Sequence, residues 1–219
     1  ASVARALGAT VALAHPRGRG LADHAIAERA ADLGLSVSTW ASRDDPALSL
    51  VVRARGDRGF VSAADFAALR RCPGLPPPAL VHAAGLAQAE ELATQLAAVR
   101  AAGSRVSVSG SWAPAQIAGL ARAIASTRSP PAWDVLILNA DEADAIAGER
   151  QAWPAVVRVA HEVVVTEGAR GAVWFDAAGQ TTRAAAPPAE VLDATGAGDA
   201  FAAGFLVARG RGLAAAAAL

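Results

Sequence analysis

The chain has 219 residues, 53% of them hydrophobic, enough for one domain with a large core. Its 20 basic and 20 acidic residues cancel and are well mixed, which points away from a nucleic-acid surface or an acidic tail. Every basic residue is arginine, which excludes a Walker A loop, a protein-kinase strand lysine and Schiff-base chemistry, and the lone Cys72 excludes intramolecular disulfides and cysteine-rich zinc sites.

Strand-like and helix-like segments alternate along the chain. Thr10–Ala14 reads as a strand and Leu21–Leu33 as a helix stopped by Gly34. Leu35–Trp40 and Leu48–Ala54 are β-rich and are expected outside the main sheet, with Gly59–Ser62 closing a hairpin around Gly56-Asp57. Ser62–Arg70 reads as a helix with a Ser cap, and Pro73 to Pro78 as a connector. Then come strand Ala79–His82, helix Ala87–Ala102, strand Arg105–Ser109 and helix Pro114–Ser126. A second proline-rich break, Ser129-Pro130-Pro131, precedes strand Val135–Leu138 and helix Asp141–Ala147. A helix over Ala152–Ala160 is followed by strands Glu162–Thr166, Ala172–Asp176 and Thr181–Ala185, and by a helix from Gly198.

Such alternation, with apolar strands, predicts an α/β fold: a mostly parallel sheet with helices on both faces and ligands at the carboxyl ends of the strands. His15, His24, His82 and His161 lack metal-ligand spacing and read as structural, as does Cys72. No apolar run reaches the ~18–20 residues of a membrane span, so a cytoplasmic location is the default expectation.

Asp193-Ala194-Thr195-Gly196-Ala197-Gly198-Asp199 carries the chemistry. A Gly-Ala-Gly turn lets backbone approach a ligand closely, and a helix starting there offers free N–H groups to an anion. A carboxylate at that place makes sense if it handles a proton or a metal, which suggests phosphoryl transfer. Upstream, Asn139 and Glu142 have the spacing of an N-cap and its capping-box partner.

The run from Asp193 to Phe205, D-A-T-G-A-G-D-A-F-A-A-G-F, resembles the C-terminal signature of the ribokinase/PfkB carbohydrate kinases. Asn139 to Glu142 resembles that family's N-x-x-E, and Val165-Thr166-Glu167-Gly168-Ala169-Arg170-Gly171 its V-T-x-G-x-x-G nucleotide-side turn. The resemblance implies a ribokinase-like three-layer α/β/α sandwich as a single domain over 1–219, with a small β lid near 35–62. Matched to the family, the chain is expected to lack the family's segments at both ends, including the Gly-Gly and asparagine that hold the sugar.

On the matching positions, the resemblance implies Asp199 as general base and Gly196, Ala197 and Gly198 as an anion hole. It implies Asn139 and Glu142 organising Mg2+ and phosphates through water, and Thr166, Gly168 and Gly171 lying against ATP. Asp193 and Thr195 would bind a monovalent cation such as K+. The activity implied is ATP-dependent phosphorylation of a hydroxyl on a sugar or sugar-like molecule, with a homodimer through the lid. A nucleoside kinase and a non-catalytic ligand-binding relative are the alternatives.

Two departures fall on the acceptor side. Pro16-Arg17-Gly18-Arg19-Gly20 stands where the family has G-D-D-x-x-G, and Ser109-Gly110-Ser111-Trp112 where it has D-P-N-x-R. Arg17 or Arg19 would suit an anionic acceptor.

Overall fold

The computed structural model describes residues 1–42, 48–54, 57–63, 65–74, 77–126 and 132–219. The chain divides into two compact units, Ala1–Leu75 and Pro76–Leu219.

The first unit runs α1 (Ser2–Ala6), β1 (Ala12–Arg17), α2 (Leu21–Asp32), β2 (Ser36–Ala41), β3 (Leu48–Ala54), β4 (Asp57–Ala63) and a 3-10 turn over Phe66–Arg71. β1 and β2 pair in parallel, with Ala12 opposite Ser36 and Arg17 opposite Ala41. Helix α2 is the crossover such a pair requires. β3 and β4 form a separate antiparallel hairpin, with Leu48 opposite Ala63. As expected, the β-rich segments over 35–62 pair outside the six-stranded sheet; Ser36–Ala41 is the parallel partner of β1, and Leu48–Ala54 pairs with Asp57–Ala63. The hairpin turn at 55–56, including Gly56, lies outside the described residues.

β1 begins and ends later than the sequence suggested. It runs through Pro16, which a two-stranded sheet accommodates because each strand is an edge. Ser62 does not cap a helix; it sits in β4 opposite Ser49, and the 3-10 turn starts at Phe66 after Asp65. Strand pairing through Ala63 takes the backbone that the helix would have needed.

The second unit begins with β5 (Leu80–Ala83), α3 (Leu86–Glu91), α4 (Ala93–Ala101), β6 (Arg105–Ser109) and α5 (Pro114–Ala125). It continues with β7 (Trp133–Asn139), α6 (Ala140–Ala147), a 3-10 segment over Arg150–Arg158 and β8 (Ala160–Thr166). β9 (Ala172–Asp176), β10 (Thr181–Ala184), α7 (Ala197–Gly210) and α8 (Ala215–Ala218) close it. The sheet order is β10-β9-β8-β7-β6-β5; β5 to β8 are parallel, while β9 and β10 join as an antiparallel extension. The proline-rich break at 127–131 lies outside the described residues.

Two predicted helices change character. The segment Ala87–Ala102 is two helices, α3 and α4, meeting at Leu92. The segment Ala152–Ala160 is 3-10, with Pro154 inside it, and Ala160 already belongs to β8. Proline has no N–H to donate to the preceding turn, so a regular α-helix is penalised there.

The core explains the continuous apolar strands. Val135 to Leu138 and Val163 to Val165 are buried without interruption, as expected for strands covered on both faces. On one face, Val135, Ile137, Val164, Ala172 and Trp174 pack with Ala202, Phe205 and Leu206 of α7. The 3-10 segment buries Trp153 and Val156 and packs with α6, β8 and β9; the Trp153 indole N–H donates to Asp144 at 2.7 Å, which satisfies its polar atom.

The turn from β8 to β9 is fixed by Gly171. Its φ is +96°, and a Cβ there would come 1.9 Å from the Ala184 carbonyl oxygen. Gly171→Ala is therefore expected to lower the free energy of unfolding by more than about 2 kcal/mol in urea titrations. A loss below about 0.5 kcal/mol would mean that the turn relaxes without cost.

Candidate active site

Parallel pairing puts Asn139, the last residue of β7, level with Thr166, the last residue of β8. Both lie at the carboxyl edge of the sheet, where this class of fold places its ligands. Asn139 and Glu142 form a complete capping box: the Asn139 side-chain oxygen accepts the Glu142 N–H at 2.8 Å, and Glu142 accepts the Asn139 N–H at 2.9 Å. Glu142 is 3% exposed, and its other carboxylate oxygen accepts the Trp112 N–H at 2.7 Å.

That second bond ties α6 to the turn after β6. Ser111 and Trp112 there have φ of +59° and +32°, left-handed values that cost side-chain-bearing residues energy. A Cβ on Gly110 would lie 2.0 Å from the Glu142 carboxylate, so only glycine admits the carboxylate so close to the backbone. The importance of Gly110 and Trp112 was not visible in sequence, because each is defined by a residue about thirty positions away.

Thr166 donates its hydroxyl to the Leu138 carbonyl at 3.3 Å. Gly168 follows with φ +59° in a single 3-10 turn over Gly168–Arg170, closed by the Glu167 N–H on the Gly171 carbonyl at 2.7 Å. Glu167 is buried, and its carboxylate is shared by Arg150, Arg170 and Arg183. Burial alone would push its pKa up, but hydrogen bonds and charge from Arg150 and Arg183 hold it below the usual glutamate value. Sequence reading passed over Glu167, since it stands at the variable position of its motif.

The Asp193–Asp199 run leads into α7. Gly196 has φ +78° and is the N-cap of α7, followed by Ala197, Gly198 and Asp199 in the first turn. All of 193–199 are exposed. The Ala197 N–H donates to the Ala194 carbonyl at 3.2 Å, and the first bond into the helix runs from Ala200 to the Gly196 carbonyl at 2.8 Å. Of the Gly196, Ala197 and Gly198 amides expected to face an anion, that of Ala197 instead closes the turn; the Gly198 amide stands at the helix mouth, joined there by that of Asp199. The Asp193 carboxylate accepts the Thr195 N–H at 2.8 Å and shapes the approach to that mouth.

His82 belongs to the same unit. It lies on β5 opposite Ser107, with 2.9 Å between Nδ1 and the Ser107 hydroxyl and 3.4 Å between Nε2 and the Ser109 hydroxyl. Desolvation lowers its pKa, while the negative charge of Asp199 pulls it up. The contacts with Ser107 and Ser109 on the neighbouring strand agree with the structural role that its sequence context suggests.

In the first unit, Arg17 and Arg19 line a cleft of about 290 Å3 with Thr39, Trp40 and Ser42 at the carboxyl ends of β1 and β2. The Trp40 indole N–H is anchored on the Ala68 carbonyl at 2.8 Å.

No group of three or more His, Cys, Asp or Glu suited to a metal ion occurs among the described residues. Glu142 spends one oxygen on each of two backbone amides, so its side chain fits a magnesium ion through water rather than by direct contact. Among the described residues, no helix is long and apolar enough to cross a membrane.

The lowered pKa of Glu167 sets a pH dependence. A carboxylate depressed in the fold stabilises it fully above its unfolded value and loses that contribution as pH falls through the folded value. Thermal melts are expected to drop as pH is lowered below about 4, with a shallower acid limb in Glu167→Gln. Identical acid limbs would remove Glu167 from the ion-pair role.

The fold matches those of solved kinases. An Escherichia coli protein designated ribokinase II, solved with ATP and Mg2+, is 19% identical with a TM-score of 0.74, covering 100% of this chain and 75% of that one. Arabidopsis thaliana ribokinase, complexed with ribose and ATP, is 18% identical with a TM-score of 0.75, covering 100% and 75%. Adenosine kinase from Sinorhizobium meliloti is 18% identical with a TM-score of 0.78, covering 100% and 71%. At these identities the likeness establishes the ribokinase-like fold. The pfkB family carbohydrate kinase profile matches residues 1–219, and the chain belongs to that family.

Proposed function

We propose that this protein transfers the terminal phosphoryl group of ATP to a hydroxyl of a small sugar or sugar-like acceptor. The observation that carries the reading is Asp199 in the first turn of α7, exposed, beside amides at the helix mouth. A carboxylate at this place is poised to take the proton of an attacking hydroxyl, a contribution of about 10²–10⁴-fold. The Gly198 and Asp199 amides, with the positive end of the α7 dipole, offset negative charge on the transferred group. Gly196 supplies the left-handed turn that aims them. Asp193 and Thr195, joined by their own hydrogen bond, are the candidates for a monovalent cation beside that mouth.

At the nucleotide end, Asn139 and Glu142 would hold magnesium through water, and Thr166, Gly168 and Gly171 would carry the nucleotide along the β8–β9 turn. The ion, when bound, neutralises phosphate charge. A nucleoside acceptor remains the second reading, supported by the likeness to adenosine kinase.

Asp199→Asn in the full-length protein is expected to cut turnover by at least about a hundredfold while ATP affinity, by calorimetry, stays within a fewfold. The assay is phosphoryl transfer across a panel of sugars, sugar phosphates and nucleosides. Turnover like that of the wild type in Asp199→Asn would take the base role away from this residue.

A further inference from the structure

Glu167 and its three arginines form a charge cluster that the base and the helix mouth do not use. The Glu167 side chain is fully covered, yet one carboxylate serves three guanidinium groups. Arg183 Nη1 lies 2.5 Å from it, Arg150 Nη2 2.8 Å and Arg170 Nε 3.5 Å. Among the described residues, no other carboxylate pairs with these arginines. Three positive charges against one negative leave a local surplus of positive charge.

The guanidiniums are not sealed in. The Arg150, Arg170 and Arg183 side chains are 42%, 68% and 51% exposed. Each carries five N–H donors, and the bonds to Glu167 use only part of that set. Like charges gathered on one carboxylate repel, and a second, multiply charged anion relieves that repulsion. Arginine forks match phosphate oxygens in spacing and plane.

The cluster is also fixed in place. Glu167 is pinned through its N–H to Gly171, and its carbonyl accepts the Arg170 N–H at 3.2 Å. Arg150 stacks over the Trp153 ring at 4.9 Å, and Arg183 rises from β10. Glu167 directly follows Thr166, which is level with Asn139, so the cluster begins at the edge of the sheet that carries the candidate site.

We propose that Arg150, Arg170 and Arg183, gathered on Glu167, form a phosphate-binding cluster that takes the phosphate tail of the nucleotide, with Glu167 as its positioning residue. The inference rests on the kinase reading for the identity of its ligand, and on the ion-pair geometry for the site itself. Glu167 touches no phosphate; it sets the spacing of the three guanidiniums.

Calorimetry on the full-length protein with ATP, adenosine and inorganic tripolyphosphate tests it. Arg170→Gln, the most exposed of the three and the change least able to disturb folding, is expected to weaken ATP and tripolyphosphate binding about tenfold. The Arg170→Gln/Arg183→Gln double variant is expected to lose about a hundredfold for both, with adenosine unchanged within about twofold and a smaller salt dependence. Glu167→Gln should weaken the same two ligands and spare adenosine, with melts confirming a folded protein. ATP binding unchanged in the double variant would overturn the cluster while leaving the kinase reading to the turnover assay. Equal losses for adenosine and ATP would also overturn it, since they report a disturbed turn. Tripolyphosphate binding that depends on the arginines, in a protein that phosphorylates no acceptor, would keep the anion site and defeat the kinase reading.

Discussion

A buried carboxylate must find its hydrogen bonds inside the protein, and Glu142 imposes that demand where β6, β7 and α6 meet. An ionised carboxylate left unpaired at this depth costs several kcal/mol. Glu142 meets the cost with one amide from its own capping box and one from the β6–α5 turn. The second bond needs the left-handed backbone at Ser111 and Trp112 and the missing side chain at Gly110. Local strain is thus offset by the satisfaction of a buried charge. The shape of the sheet edge around Asn139 follows from that exchange.

The same demand recurs one strand over. Glu167 is covered, and three arginines answer it. The two buried glutamates follow the ends of adjacent parallel strands, Glu142 three residues after Asn139 and Glu167 one residue after Thr166. They differ in what surrounds them. Glu142 is held by neutral amides and organises backbone, whereas Glu167 is held by cations and gathers charge.

Much of this was legible in the sequence. Continuous Val/Ile/Leu runs marked β7 and β8 as strands covered on both faces, and Asn139 with Glu142 read as a capping box before the box was seen. The Gly196–Asp199 motif was placed at the start of a helix, where α7 begins. What failed depended on partners distant in sequence. The pairing of Ser36–Ala41 with β1 was not readable, because β propensity says nothing about which strand a segment joins. Ser62 looked like a cap because Ser49 opposite it was invisible to a local reading. Pro154 is the local exception, since its missing N–H alone penalises a regular α-helix, and the break at Leu92 leaves no mark in the apolar periodicity. Gly110, Trp112 and Glu167 escaped because each is defined by a contact from another element.

The absence of lysine now has a structural meaning. An ammonium is a compact, strongly hydrated charge with no fork, and three of them around one carboxylate would retain few oriented donors for a second anion. A guanidinium is planar and more weakly hydrated; it can share a carboxylate along one edge and keep donors along another. Arg209 shows the same versatility away from the candidate site, spanning both Glu162 oxygens at 2.9 Å while also donating to the Leu213 carbonyl at 2.8 Å. A chain whose only permanent cations are arginines is therefore suited to phosphate handling through clusters and backbone amides, and poorly suited to mechanisms that rely on a single mobile point charge. Under the proposed phosphate-binding role, the Glu167 turn would supply what a flexible lysine otherwise could: positive charge at the phosphates, by spacing set in the fold rather than by a side chain that must find them.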